Sequence, residues 1–202
     1  MWVLIAITVL AGYLLGNLNG AVCASKAMGD DVRTHGSGNA GLTNFIRSYG
    51  AARSAVVILI DAGKAVAACV LGGVLLKPYF GFQGGSALGG AAVMLGHVFP
   101  VFLGFRGGKG ILSGLFIALV TDYRVALVII TVFAVVYLLS WYVSLGSVLA
   151  ALTFGIVFAV FHCNTPLVMC CGIFMSLLAT AMHWPNIIRL IKGEERKTNL
   201  FK

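Results

Sequence analysis

The sequence predicts an all-α membrane protein with seven transmembrane helices, one of them short or broken, the N-terminus outside and the C-terminus cytoplasmic. Three observations predict this. Apolar residues make up 60% of the chain and charged residues 10%, and the mean hydropathy is +1.01, values that belong to an integral membrane protein and not to a soluble domain. The apolar residues fall into successive runs separated by short polar breaks. The bases also sort by side. With seven crossings, Lys26, Arg33, Arg47, Arg53, Arg106, Lys109, Arg189, Lys192, Arg196, Lys197 and Lys202 share one face, against Lys77 and Arg124 on the other. The positive-inside rule makes that face cytoplasmic.

Trp2 to Cys23 is the first span, long enough at about 1.5 Å per residue for a hydrocarbon core of about 30 Å. Gly16 and Gly20 share a side, with Asn17 and Asn19 beside them, a pattern for close helix packing and an interhelical hydrogen bond. Ala51 to Leu76 is the second span, with Asp61 and Lys64 at i and i+3 on one face; charges in a membrane are costly, and this spacing lets them pair. Pro78 to Gly85 reads as a short turn and Gly84 to Leu103 as the third span, with His97 and Pro100 near its exit. Ile111 to Val120 has about half the usual spanning length, a form that can aim a helix end at a ligand. Val125 to Leu139, Leu145 to Phe161 and Leu167 to Met182 are the remaining spans, and an amphipathic basic tail begins at His183.

The net charge of +8 is spread over loops and not gathered on one soluble module, so it points to membrane lipids and phosphorylated solutes as partners and away from nucleic acid. Cys23, Cys69, Cys163, Cys170 and Cys171 show no CxxC spacing and read as small packing residues. No basic n-region precedes Trp2, and the apolar run exceeds h-region length, so no cleavable signal peptide is expected.

Two glycine-rich loops carry the chemistry. Gly96 to Gly110 places Arg106 and Lys109 among Gly104, Gly107, Gly108 and Gly110, just before the apolar run that opens at Ile111. Glycines allow backbone N–H groups to converge, and a following helix adds its unpaired first-turn donors and positive dipole end, so the stretch suits an anion. The segment from Arg33 to Arg47 interleaves glycines with Ser37, Asn39, Thr43 and Asn44 between basic ends, a donor set suited to a phosphate. With seven crossings these loops, Tyr142 to Ser144 and the His183 to Asn186 corner meet on one cytoplasmic face.

Familiar catalytic devices are missing. No carboxylate stands five residues after His35, His97, His162 or His183, so the HxxxxD dyad of common acyltransferases is absent. Leu103 occupies the place of the first Walker A glycine, and Gly110 that of its Ser or Thr. Neither a His/Cys metal cluster nor a nucleophile elbow is visible, and no cofactor is called for.

Gly36-Ser-Gly-Asn-Ala-Gly-Leu-Thr-Asn44, Gly96-His-Val-Phe-Pro with Gly107-Gly-Lys-Gly110, and His183 with Asn186-Ile and Arg189-Leu, in that order, resemble the three motifs of the bacterial membrane-integral acyl-phosphate:glycerol-3-phosphate acyltransferase family. Asp61-Ala-Gly-Lys64 resembles that family's D-x-x-K pair. The likeness runs over essentially the whole chain. It implies one transmembrane acyltransferase domain, residues 1–202, in a bacterial inner membrane with its active site on the cytoplasmic face. It further implies acyl transfer from long-chain acyl phosphate, with neither acyl-CoA nor acyl carrier protein as donor, to the 1-hydroxyl of glycerol 3-phosphate. On that resemblance lysophosphatidic acid and inorganic phosphate are the expected products, in the first acylation of phospholipid synthesis, with the acceptor's own phosphate as the expected base.

Carried over by position, Ser37, Asn39, Thr43, Asn44 and Arg47 of the first motif, and His97, Gly107, Gly108, Lys109 and Gly110 of the second, become substrate or phosphate-binding residues. Ser144, His183 and Asn186 hold the glycerol phosphate, and Lys109, Ser144 and His183 are the catalytic set. The chain departs from the family pattern at Asn17, Leu42, Leu112-Ser113 and, in the third motif, Trp184-Pro185. The rival reading is a phosphate-anion transporter, to which glycine loops, a half-length helix and intramembrane Asp61 and Lys64 are also suited.

Overall fold

The computed structural model describes residues 1–198, and every regular element among them is helical; Lys202, counted above with the basic face, lies outside the described residues. The first predicted span is broken. α1 (Trp2–Gly16) and α2 (Gly20–Ala27) meet at a 41° bend. Asn17 Nδ2 donates to Tyr13 O at 2.8 Å, while its Oδ1 accepts from Phe102 N at 3.2 Å. Asn19 caps α2 by accepting from Val22 N at 3.0 Å, and donates to Ala40 O at 2.9 Å. Short polar side chains that bond nearby backbone favour such caps over helix interiors. The close packing expected of the glycines is present: a Cβ on Gly16 would meet Gly96 Cα at 2.7 Å, and one on Gly20 would meet Val57 O at 2.6 Å.

α3 (Leu42–Tyr49) follows the first loop and is seated by Phe45, which packs with Val22, Val32 and Val57 in a small buried cluster. α4 (Ser54–Val98) joins the predicted second and third spans into one helical run of 45 residues. Its only non-helical residue is Gly81, at φ 65° and ψ 171°, a conformation that glycine alone adopts without strain. Across this reversal the two arms pack backbone to backbone, Gly85 against Gly72 and Gly89 against Ala68. α5 (Ile111–Thr121), α6 (Tyr123–Ser140), α7 (Val143–Phe161), α8 (Pro166–Met182) and α9 (Trp184–Ile191) complete the set. Cys69, Val93, Ile117, Ile129, Phe154, Phe158 and Met175 form the main core between α4 and α5 to α8. All five cysteines are free, Cys69 and Cys171 buried and the other three exposed.

Seven spans are not what the chain forms. Among the described residues three stretches are long and apolar enough to cross a membrane, Ser54–Leu103, Tyr123–Ser140 and Val143–Phe161; counting the bent pairs α1 with α2 and α8 with α9 as single spans raises the number to at most five. Two features account for the difference. The predicted second and third spans count as a single helical stretch that turns back on itself at Gly81, and α5, with 11 residues, is only about 16 Å long against a core of about 30 Å. The placement of the N-terminus outside and the C-terminus inside rested on seven crossings and falls with them.

At the end of the bundle where α5 meets α6, Asp122 caps α6. Its carboxylate accepts from Arg124 N and Nε, both at 3.0 Å, and lies 3.1 Å from His162 Nε2.

Candidate active site

The loops meet at the other end around a cavity of about 330 Å³. Its polar part takes residues from the first loop and α3 (Ser37, Asn39, Gly41, Thr43, Asn44, Arg47), from α4 and the second loop (Asp61, His97, Lys109, Gly110), from α7 (Ser144, Ser147) and from the last corner (His183, Asn186, Arg189, Glu195). The rest is apolar: Leu112 and Leu115 of α5, Ile129, Ile130 and Phe133 of α6, and Val143 and Ala150 of α7. The four segments whose convergence the sequence predicts do surround one space.

Asn44 builds the first loop. Its Nδ2 donates to Val32 O and His35 O at 3.0 Å and to Asn39 O at 3.1 Å, and its Oδ1 accepts from Ser37 N at 2.9 Å. One buried side chain thereby satisfies the turn's backbone. Asn44 lines the cavity, but both ends of its amide are committed to holding Ser37, Asn39 and α3 in place.

The second loop is fastened the same way, through backbone. Gly107 N donates to Val98 O at 3.2 Å and Gly108 N to His97 O at 3.1 Å, so these two N–H groups bind the end of α4 and point away from the cavity. Neither glycine is among the lining residues. Lys109 and Gly110, which follow, do line it, and Gly110 at φ 84° opens α5. Exposed Arg106 stays outside.

Four helix N-termini border the cavity: α3 after Gly41, α5 after Gly110, α7 after Tyr142 and α9 after His183. None has a side-chain cap. Those of α3, α5 and α7 present unpaired first-turn N–H groups and a partial positive charge of about half a unit, so the cavity is electropositive even before its side chains are counted; α9 adds little, because Pro185 has no N–H and Asn186 N donates to His183 O at 2.9 Å. The sequence reading noted only the start of α5. The signal for the others was the lack of a Ser, Thr, Asp or Asn cap where an apolar run follows a polar loop.

Lys109 Nζ donates to Asn186 Oδ1, and Arg47 reaches the Thr198 hydroxyl. Arg189 Nε donates to Glu195 Oε2 at 2.7 Å, and Asn186 Nδ2 to Glu195 Oε1 at 3.0 Å. Partial burial, reinforced by Arg189, pulls the Lys109 ammonium down to about 8. Burial alone would raise the Glu195 carboxyl, but hydrogen bonds from Arg189 and Asn186 hold it below the ordinary glutamate value. Arg189 and Glu195 are functional candidates that the sequence reading did not place in the site. Glu195 arrives because the tail folds back: Thr198 N donates to Trp141 O at 3.1 Å, and Tyr137 Oη donates to Thr198 O at 3.0 Å.

His183 is buried, and its Nδ1 lies 2.8 Å from Ala179 O. A carbonyl only accepts, so Nδ1 carries the proton and Nε2 is the acceptor nitrogen. Among the described residues no group of three or more His, Cys, Asp or Glu is placed to hold a metal ion.

A cationic pocket continuous with an apolar wall defines the class: a membrane-embedded site for a phosphorylated solute and a lipid chain together. The glycerol-3-phosphate acyltransferase family profile matches residues 6–193. The chain is 35% identical over 192 residues to a glycerol-3-phosphate acyltransferase of Thermoanaerobacter sp. (strain X514), covering 95% of this chain and 94% of that one. It is 40% identical over 199 residues to that of Anaeromyxobacter dehalogenans (strain 2CP-1 / ATCC BAA-258), covering 95% and 96%. Among solved structures it is similar to PlsY, an integral membrane glycerol 3-phosphate acyltransferase. The glycerol 3-phosphate form of that protein superposes with a TM-score of 0.87 at 30% identity, over 98% of this chain and 99% of that one. The lysophosphatidic acid form gives 0.84 at 30% identity, over 97% and 96%. The chain belongs to the bacterial, membrane-integral glycerol-3-phosphate acyltransferase family, which decides between acyl transfer and anion transport in favour of transfer.

Proposed function

We propose residue roles for the reaction this enzyme catalyses, in which an acyl group passes from acyl phosphate to the 1-hydroxyl of sn-glycerol 3-phosphate to give lysophosphatidic acid and inorganic phosphate. One observation carries the assignment: the uncapped N-termini of α3, α5 and α7 and the cations Lys109, Arg47 and Arg189 border the polar end of a cavity whose far wall is apolar. Two phosphates need the first part, and an acyl chain needs the second.

Ser37, Thr43, Arg47 and Lys109 hold the phosphates close together, and Ser144, His183 and Asn186 seat the glycerol phosphate. Acyl phosphate carries its own leaving group, so the protein's work is positioning and charge stabilisation. The hydroxyl oxygen bonds to the carbonyl carbon, the bond from that carbon to the phosphate oxygen breaks, and phosphate leaves with the electron pair. The hydroxyl proton passes to the acceptor's phosphate, whose second ionisation lies near about 6. The acceptor nitrogen of His183 supports a second reading in which His183 takes that proton instead. Leu112, Leu115, Ile129 and Phe133 line the path of the acyl chain. Lys26, Arg33, Arg53, Arg106 and Lys192 flank the segments that carry the cavity, which supports a cytoplasmic active site in the bacterial inner membrane.

The test is phosphate release by purified protein in detergent, given glycerol 3-phosphate with palmitoyl phosphate or with palmitoyl-CoA, and lysophosphatidic acid assayed as product. Release with palmitoyl phosphate alone is the expected result; product from the CoA donor would overturn the choice of leaving group.

A pH dependence follows from Lys109. Its ammonium is present below about 8 and lost above it, so kcat/KM should fall as pH rises through about 8. A bound phosphate favours the charged form, so kcat should hold to higher pH. Arginine keeps its charge throughout; Lys109→Arg should therefore move the alkaline limb of kcat/KM upward, whatever its activity at neutral pH. An unmoved limb would take Lys109 out of the profile.

A further inference from the structure

Asp61 and Lys64 form the most deeply buried ion pair among the described residues, with side chains 2% and 1% exposed and Lys64 Nζ 2.8 Å from Asp61 Oδ1. Nothing in the proposed roles uses them. A charged pair in this position is hard to justify by stability, since apolar residues of similar size often serve as well or better. Its partners are directional. Asp61 Oδ1 accepts from Gly20 N at 3.1 Å, at the start of α2. Lys64 Nζ donates to Leu18 O at 2.5 Å, inside the break between α1 and α2, and lies 2.7 Å from His97 Nδ1. An ammonium has three protons, and its three nearest acceptors are Leu18 O, His97 Nδ1 and Asp61 Oδ1; Gly16 O at 3.3 Å is more distant.

This arrangement decides the state of His97. Were Nδ1 protonated, an N–H would face the ammonium at 2.7 Å; the one nearby carboxylate oxygen, Asp61 Oδ1, is 3.7 Å from Nδ1, too far to accept from it. Nδ1 is therefore an acceptor, and the ring proton sits on Nε2. That edge of the ring, Nε2 with Cε1, fills the space in which a side chain at Gly108 would stand, and His97 lines the cavity beside Lys109. The two cavity histidines thus carry opposite tautomers, His183 with an acceptor Nε2 and His97 with a donor Nε2–H.

We infer that Lys64, held by Asp61, locks His97 as its Nε2–H tautomer, and that this N–H donates a hydrogen bond to a substrate phosphate held beside Lys109. Asp61 and Lys64 are then positioning residues, and His97 contacts the substrate. The role of the phosphate rests on the proposed function, whereas the tautomer does not. The lock also explains the sign of the pair. With the charges exchanged, an aspartate at position 64 would accept from His97 Nδ1–H, leave Nε2 with its lone pair, and turn a phosphate donor into a phosphate repeller.

Two measurements test this. Nitrogen-15 NMR of histidine-labelled full-length enzyme in detergent, with His97 assigned by its absence in His97→Asn, should show a protonated Nε2 and an unprotonated Nδ1. Added inorganic phosphate should shift the Nε2–H. A protonated Nδ1, or an Nε2–H that inorganic phosphate leaves unmoved, would overturn the inference. These spectra need no turnover, so they stand apart from failure of the acyl-phosphate assay. The second is the exchange Asp61→Lys with Lys64→Asp, which keeps an ion pair. It should raise KM for glycerol 3-phosphate or acyl phosphate by about tenfold to a hundredfold, the size expected for losing a hydrogen bond to a charged group, and invert the His97 tautomer. Recovery of wild-type KM in the exchanged pair would show that a pair of either polarity suffices, and would sink the lock. If the exchanged protein does not fold, the wild-type spectra decide.

Discussion

Replacing Lys109 by alanine should lower kcat/KM for acyl transfer by about 10²-fold to 10³-fold, the usual loss when one preorganised group that stabilises developing charge is removed, with the yield of folded protein unchanged. Two phosphates held together repel, and charge builds on the departing one as the carbonyl bond breaks. Of the three cations at the cavity, Arg189 is paired with the Glu195 carboxylate, whereas Arg47 and Lys109 contact only the neutral Thr198 hydroxyl and Asn186 amide oxygen and leave their charge for the substrate. Partial burial makes that charge count for more than it would in water. Folding should be spared because the loop is held by the Gly107 and Gly108 backbone bonds to α4, which the substitution does not touch. Steady-state phosphate release, with detergent-solubilised yield and thermal unfolding as controls, checks it. Normal turnover in a folded Lys109→Ala protein would remove Lys109 from the reaction.

Much of this site was readable from loops alone, for a physical reason. In a chain so apolar, polar and basic residues have few reasons to persist, so Ser37, Thr43, Arg47, Lys109 and Ser144 stood out, and each lines the cavity. The helix count was harder to read. Periodicity carries little information when a helix is apolar on every side; the turn between Pro78 and Gly85 was legible, but not that Pro78 lies within a helix and that Gly81 alone turns the chain. The break at Asn17 to Asn19 was hidden similarly. Its asparagines are also what an interhelical hydrogen bond requires, but their long-range bonds go to Phe102 in a single 3-10 turn and to Ala40 in the first loop.

Contacts made at long range were beyond reach. Glu195 sits among tail residues that read as a solvated basic end, and only the return of the tail to Trp141 and Tyr137 brings it to Arg189 and Asn186. The glycines of the second loop were legible as necessary, but for a different reason from the one expected. Gly107 and Gly108 direct their N–H groups to α4, and the unpaired backbone donors bordering the cavity belong instead to the starts of α3, α5 and α7.

That reassignment sets the second large effect. Gly108→Ala should raise KM for the phosphorylated substrates by about tenfold to a hundredfold in a protein that still folds. A Cβ at Gly108 would overlap His97 Nε2 and stand 2.8 Å from Cε1 and 3.0 Å from Ala40 O. Neither neighbour is free to retreat: His97 is held at Nδ1 by Lys64 at 2.7 Å, and Ala40 O accepts from Asn19 Nδ2 at 2.9 Å. Overpacking of this kind costs about 1–3 kcal/mol. The loop, being the softest part, relieves it by moving, and carries Lys109 away from Asn186. Gly63 of α4 is the natural control, since a Cβ there meets nothing within 4 Å; Gly63→Ala should leave KM unchanged and, by helix propensity, hold or slightly raise stability. If Gly108→Ala kept KM within about twofold of wild type, the His97 ring would have room that the geometry denies it, and the loop would owe its glycine to something other than this contact.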